Sequence, residues 1–318
     1  MPWLPRVWLP SHRHVSSPVL VDTEAKRELK VNFNNETLPF CSETKYHGVT
    51  LVRSLTYRRH LESLRKKLTS RVALLRRLAG ATTLRTAILA LAHSTAEYYA
   101  PVWCRSGHTR LTEPAINDDL RTVTGCLRPT PADNLPILAG IQPAELRRRG
   151  ATLSLGRRAM EPGHLLHSAL TRPSCADARR LKSRHPFVPA VQQLISFSDN
   201  NIRAAQWVDH RMERGVGGQP HKAPHFNSRH GYTPPRMTLP RKSWVRLNRL
   251  RTGVGRFRSC LYKWGMASSA ACECGAEEQT VDHVVLHCPI HRSPHGLHGL
   301  TVLDYETTEW LLNTCPDI

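Results

Sequence analysis

The spacing of apolar residues changes along this chain, and each change marks an element. Leu29, Val31 and Phe33 alternate with polar neighbours, Asn34-Asn35 offers a turn, and Leu38 and Phe40 resume the alternation. That is the pattern of a β-hairpin with one face covered. A third short strand is expected through Tyr46, Gly48, Val49 and Leu51. Over 55–79 the period becomes helical, with Leu61, Leu64, Leu68, Val72 and Leu75 returning to one face. Over 82–100 the apolar residues, among them Leu84, Ile88, Leu89 and Leu91, occupy most of the circumference, which predicts a buried helix ended by Pro101. Ile116, Leu120 and Val123 predict an amphipathic helix over 113–127, closed by Pro129 and Pro131. Pro143 suits the first turn of another helix, with Glu145 near its positive end and Arg147, Arg148, Arg149, Arg157 and Arg158 as a basic surface. Aromatic residues are only 6% of the chain and must first serve packing, so Trp103 is assigned to the core.

Residues 1–25 show neither period. They contain apolar residues but are interrupted by Pro2, Pro5 and Pro10 and carry Arg6, so a disordered leader is expected and a signal-peptide core is not. The stretch 214–236 holds four glycines, four prolines and three histidines with no acid, which is linker composition. After it, Trp244, Leu247, Leu250, Val254, Phe257 and Leu261 recur every three or four residues, an amphipathic helix interrupted near Gly253 and Gly255. The expected organisation is mainly α: a leader over 1–25, a short β-hairpin region over 26–55, a helical bundle over 56–170, a flexible linker with some helix over 171–238, and a small C-terminal tail over 239–318.

Charge changes this picture from a generic helical protein to one with a polyanionic partner. The formal net charge is +20 over 318 residues, far beyond what solubility requires, and RNA or DNA is the leading partner class. A membrane is not expected, because the chain has no run of about eighteen apolar residues and no lipidation signal. The cations are patterned. Arg58, Arg65 and Arg76 form one row on the first long helix, and Arg59, Lys66 and Arg77 repeat its offsets, all near whole helical turns. Residues 241–263 carry eight Lys or Arg and no acid; Arg246, Arg249, Arg251, Arg256 and Arg258 are the expected phosphate contacts there.

The sharpest chemical signal follows that basic helix. Cys272, Cys274, His283 and Cys288 fall within seventeen residues as C-x-C-x8-H-x4-C, a complete donor set for a tetrahedral metal ion such as Zn2+. Gly275 permits the tight turn that wraps sulfurs around an ion, and 281–287 reads as a short helix carrying His283 and stopped by Pro289. His287 and His291 compete for the imidazole position, with His283 preferred because its distance from Cys288 leaves slack for closure. Four protein ligands leave no open position for water, so the expected role is structural. With no secretory signal, nine cysteines, an odd number, fit thiols in a reducing, intracellular compartment better than a disulfide framework. Paired carboxylates, a Ser-His-Asp set or a glycine-rich phosphate loop do not stand out, and no small-molecule substrate is expected.

These residues also meet a family. KYHGVTL (45–51) followed by LTYRRHL (55–61), STAEYYAPVW (94–103), LRTVTGCLRPTP (120–131), LPILAGIQPAELRRRGATL (135–153), and WVRLNRLRTGVGRF (244–257) with the Cys-Cys-His-Cys knuckle resemble the carboxy-terminal part of a non-LTR, LINE-type, jockey-like retrotransposon reverse transcriptase. The resemblance implies that the hairpin ends a polymerase palm, that the bundle is thumb-like, and that the knuckle belongs to a template-RNA-binding tail. His47 departs from the pattern, standing where the family prefers an apolar residue. The family's adjacent catalytic aspartates behind an aromatic residue are absent, and Asp118-Asp119 sits in a helical pattern as an expected solvated face. The chain alone is therefore expected to bind nucleic acid and zinc without polymerase activity. The alternatives are a part that is active only with its missing palm and endonuclease, or a translated relic.

Overall fold

A computed structural model of the chain describes residues 31–33, 36–38, 42–52, 54–77, 84–168, 191 and 239–318. The leader expected over 1–25 and, apart from one residue, the linker expected over 171–238 lie outside the described residues. The described chain is mainly helical.

Strands β1 (Val31–Phe33) and β2 (Glu36–Leu38) pair antiparallel, with Val31 opposite Leu38. A second hairpin follows, β3 (Glu43–Tyr46) against β4 (Val49–Val52), with Tyr46 opposite Val49. The single strand expected through Tyr46 and Leu51 is thus folded in two. His47 and Gly48 both take positive φ, +45 and +84, as a two-residue hairpin loop compatible with strand twist requires.

Helix α1 (Arg58–Arg77) buries the expected Leu61, Leu64, Leu68, Val72 and Leu75. Helix α2 (Leu84–Ile88), a π-helical turn (Leu89–His93) and α3 (Ser94–Glu97) run on without a break. The run stops at Tyr98, before Pro101, and Pro101 instead lies in the first turn of α4 (Ala100–Trp103). A first-turn proline forfeits no helical hydrogen bond, so it opens a helix as readily as it ends one. Helix α5 (Glu113–Thr124) likewise ends before its prolines, at left-handed Gly125, whose N–H donates to the Arg121 carbonyl at 2.8 Å. Two more helices, α6 (Asn134–Ala139) and α7 (Ala144–Ala159), complete a core that includes Leu61, Leu68, Ile88, Leu120, Leu135 and the fully buried Trp103.

The basic surface expected of α7 is only partly a surface. Arg148 is buried with its guanidinium 5.9 Å from the Trp103 ring centroid, and Arg147 forms an ion pair with Glu97. Arg148 shares its helix face with buried Thr152, Gly156 and Ala159, so its position on the helix sends it inward.

The tail forms a second core from α8 (Arg241–Thr252), α9 (Arg258–Lys263), a π-helical turn (His283–His287), α10 (Gly296–Val302) and α11 (Tyr305–Asn313). Trp244, Leu247, Leu250, Phe257, Val284, Val285, Leu300, Trp310 and Leu311 meet inside it. Asp304 caps α11 by accepting from the Thr307 N–H at 2.7 Å.

Helix α8 joins the two cores by capping α5. The last carbonyls of a helix have no intrahelical donors, and here those of Thr122, Val123, Thr124 and Gly125 accept from side chains of α8. Arg241 serves the first two, Trp244 Nε1 also reaches Val123 at 3.0 Å, Asn248 Nδ2 reaches Thr124 at 2.9 Å, and Arg249 Nε reaches Gly125 at 3.1 Å. Gly125 has φ +72, and a Cβ on it would lie 2.3 Å from a Val245 methyl. Gly125→Ala is therefore expected to destabilise the protein by about 1–3 kcal/mol through backbone strain and overpacking. Urea denaturation should show a lowered midpoint, with Val245→Ala restoring part of it. An unchanged midpoint would mean that the tail does not rest on α5.

Candidate metal centre and the cations around it

The Cys-x-Cys turn is built by backbone hydrogen bonds. Gly275 takes φ +93, its N–H donates to Cys272 O at 3.0 Å, and the Cys272 N–H donates to Ala276 O at 2.9 Å. The π-helical turn begins at His283, and Cys288 follows it in an extended conformation with its N–H on His283 O at 2.7 Å. These two pieces bring the ligand atoms of Cys272, Cys274, His283 and Cys288 within 4.8 Å of one another. The sulfurs of Cys272 and Cys288 are 3.8 Å apart, and Cys274 Sγ lies 3.1 Å from His283 Nε2. This group can hold a metal ion. His287 is exposed and lies outside the cluster, as does His291, whose Nε2 is 3.6 Å from Glu273.

One supporting residue has no signal in the ligand spacing. Gln279 is buried, and its amide N–H faces Cys272 Sγ at 3.7 Å while its Oε1 accepts the Arg258 N–H at 3.1 Å. Its backbone carbonyl accepts the Ser259 hydroxyl at 2.8 Å. Gln279 thereby ties the first turn of α9 to the sulfur cluster, a second layer of hydrogen bonds of the kind that orients metal ligands. Burial opposes ionisation of the Cys272 thiol, yet hydrogen bonds from the Cys274 backbone and thiol and from Gln279 hold its pKa below the usual value. Burial pushes the Cys288 thiol up.

The cations divide into two groups. On α1, Arg58, Arg59, Arg65, Lys66, Arg76 and Arg77 are all exposed. Arg58 pairs with Glu62 at 3.0 Å, Arg59 with Glu43 at 3.0 Å and Arg76 with Asp118 at 3.4 Å, while Arg65, Lys66 and Arg77 have no acidic partner among the described residues. In the tail, three of the five arginines expected to face phosphate face the protein instead. Arg246 is buried, donating to the carbonyls of Leu311 and Leu312 and pairing with Asp317. Arg251 is buried on Leu300 O at 3.1 Å through Nε, and Arg249 bridges Gly125 O and Ile318 O. Their guanidinium groups satisfy chain-end and helix-end carbonyls that are otherwise without donors. Arg256 and Arg258 are exposed, and Arg258 lies 3.6 Å from Glu273.

Asp118 and Asp119 also part company. Asp118 pairs with Arg76 and Arg121, but Asp119 is completely buried and neither carboxyl oxygen has a hydrogen-bond partner. The solvated face expected for both holds for only the first. Asp119 lies on the same stripe as Ile116, Leu120 and Val123, a spacing that marks it as inward.

Fold and site together define a strongly basic, mainly helical protein with a four-residue Cys/His cluster in its C-terminal lobe. Comparison with known proteins gives that class a lineage. The chain is 25% identical over 275 residues to a retrovirus-related Pol polyprotein from type-1 retrotransposable element R1 4 of Nasonia vitripennis, covering 83% of this chain and 64% of that protein. It is 23% identical over 322 residues to the corresponding polyprotein of element R1 of Bradysia coprophila, covering 95% of this chain and 29% of that protein. The chain is related to the Pol polyproteins of non-LTR retrotransposons, and it spans less than two thirds of the length of these relatives. No protein-family model and no solved structure matches it. Among the described residues no helix is long and apolar enough to cross a membrane.

Proposed function

We propose that this chain is a nucleic-acid-binding, zinc-holding C-terminal region of a non-LTR retrotransposon reverse transcriptase. In this reading the hairpins end the palm, helices α1 to α7 serve as the thumb, and the tail is a knuckle that orients RNA. The observation that carries it is the donor cluster. Two sulfurs each about 2.3 Å from a tetrahedral zinc stand about 3.8 Å apart, the separation found between Cys272 and Cys288. Three thiols and an imidazole are donors that zinc favours, and the closed set supplies rigidity, not hydrolysis. Exposed cations on α1 and the net charge of +20 support a phosphate-bearing partner. Primer extension by the chain alone is expected to yield no product.

The salt dependence of binding tests the reading. Replacing Arg65, Lys66, Arg77, Arg256 and Arg258 with glutamine should weaken RNA and DNA binding alike. It should also flatten the plot of log affinity against log salt by up to about 3.5 on single strands, since each lost phosphate contact removes about 0.7 from the slope. Substituting Arg246, Arg249 and Arg251 should instead lower the unfolding midpoint, because those groups hold carbonyls. Identical slopes for wild type and the five-site variant would remove these cations from the interface.

A further inference from the structure

Aromatic residues are scarce in this chain, yet four rings meet at one exposed place. Tyr46 ends β3 and His47 begins the hairpin turn; Tyr98 and Tyr99 form the break between α3 and α4. Tyr46 and His47 stand edge to face with centroids 4.4 Å apart, Tyr98 and Tyr99 do the same at 4.3 Å, and His47 lies 6.3 Å from Tyr99. Tyr46 is 65% exposed, Tyr98 54% and Tyr99 39%. Three of the seven tyrosines in the chain are gathered here without entering a core.

The backbone beneath them is unusual in the same two places. His47 has φ +45 and Tyr99 φ +52, left-handed conformations that a glycine would adopt without penalty. His47 takes this conformation as the first residue of the two-residue hairpin loop and Tyr99 takes it at the break between α3 and α4, so both rings sit at turns. The hairpin turn lies against Tyr98, whose ring carbon would be in ordinary contact, 3.4 Å, with a Cβ at Gly48. The two pairs therefore form one patch from separate parts of the chain.

We infer that Tyr46, His47, Tyr98 and Tyr99 form a stacking platform for the unpaired bases of a single-stranded nucleic acid. The inference rests on the nucleic-acid reading above and adds where the bases, as distinct from the phosphates, are held. Edge-to-face pairs leave ring faces open, and every base has a π-face to lay on them. Phenols and an imidazole offer polar rims that suit a base more than an aliphatic surface. The overall +20 charge draws the strand's phosphates to the protein.

The test compares a fluorescent twelve-nucleotide deoxythymidine strand with an abasic strand of equal length, using the full chain with its metal. Wild type is expected to prefer the base-bearing strand by on the order of tenfold. A Tyr46→Ala, Tyr98→Ala variant should lose that preference while keeping the wild-type salt slope, and Tyr46→Phe, Tyr98→Phe should retain it. Both variants alter exposed residues, and circular dichroism verifies that they fold. Equal wild-type affinity for the two strands, with binding intact, overturns the platform and leaves the nucleic-acid reading standing. Binding to neither strand removes both. Loss of preference in the phenylalanine variant overturns stacking in favour of phenol hydrogen bonds. Wild-type dimers that dissociate in the alanine variant without any base preference assign the patch to a second copy of the chain and also overturn the proposal.

Discussion

Cys272→Ser is expected to release the metal and melt the segment 266–282, leaving α1 to α7 folded. Between α9 and the π-helical turn the buried residues are few. Cys272 and Gln279 are the only ones over 264–282, so apolar packing has little to hold that loop. What organises it is the ligand cluster and the hydrogen bonds that end on Cys272 and Gln279. Binding of a structural zinc in small Cys/His modules is worth roughly 10–16 kcal/mol at neutral pH, more than a short loop can recover by other means. Elemental analysis should find one zinc per wild-type chain and almost none in the variant. Hydrogen exchange should rise over 266–282 and remain low in α1 and α5. His283→Ala should also lose the metal, since His287 and His291 stand outside the cluster. Full zinc occupancy in a Cys272→Ala, Cys274→Ala double variant would sink the assignment.

The legibility of this chain follows the kind of force that places each residue. Helix α1 was readable because one apolar stripe and one solvent face are a local pattern, and every leucine named on it is buried. That Cys272, Cys274, His283 and Cys288 come together is legible because such a cluster is rare and its members are close in sequence. The arginines were not sorted, because periodicity reports a face and not where a long side chain finds an acceptor. Arg246 and Arg249 end on carbonyls of Leu311 and Ile318, more than sixty residues away. Helices α10 and α11 leave little local signal because Leu300, Trp310 and Leu311 form a core only when α8 folds back against them. Pro101 is ambiguous for a different reason: a proline marks a helix boundary without saying which side the helix is on.

Asp119→Asn is expected to stabilise the protein at neutral and alkaline pH and to have little effect near pH 4. Burial, reinforced by the adjacent Asp118 carboxylate, pushes the Asp119 carboxyl up to about 7 from its usual 3.8, with Arg147 and Arg76 offsetting part of the rise. In the unfolded chain the carboxyl loses its proton near 3.8; in the folded chain it keeps it until about 7. Between those values the folded state binds more protons, so stability falls as pH rises, and above about 7 the full penalty of a buried carboxylate is present. The gap corresponds to roughly 4 kcal/mol at most, and about 2–4 kcal/mol is the expected gain in the variant at pH 8. Asparagine keeps the shape and leaves a buried polar group much like the protonated acid, so the two proteins should converge at low pH. His93 acts in the opposite sense. Burial and the nearby Arg147 hold its imidazole down to about 3 from 6.5, so its neutral form contributes stability that is lost as pH falls from 6.5 toward 3. Both proteins share that loss, as they share the metal ligands, and the difference between their urea midpoints isolates Asp119. A difference that is flat from pH 5 to pH 8 would mean that Asp119 is already ionised in the fold, with Arg147 as its effective counter-charge.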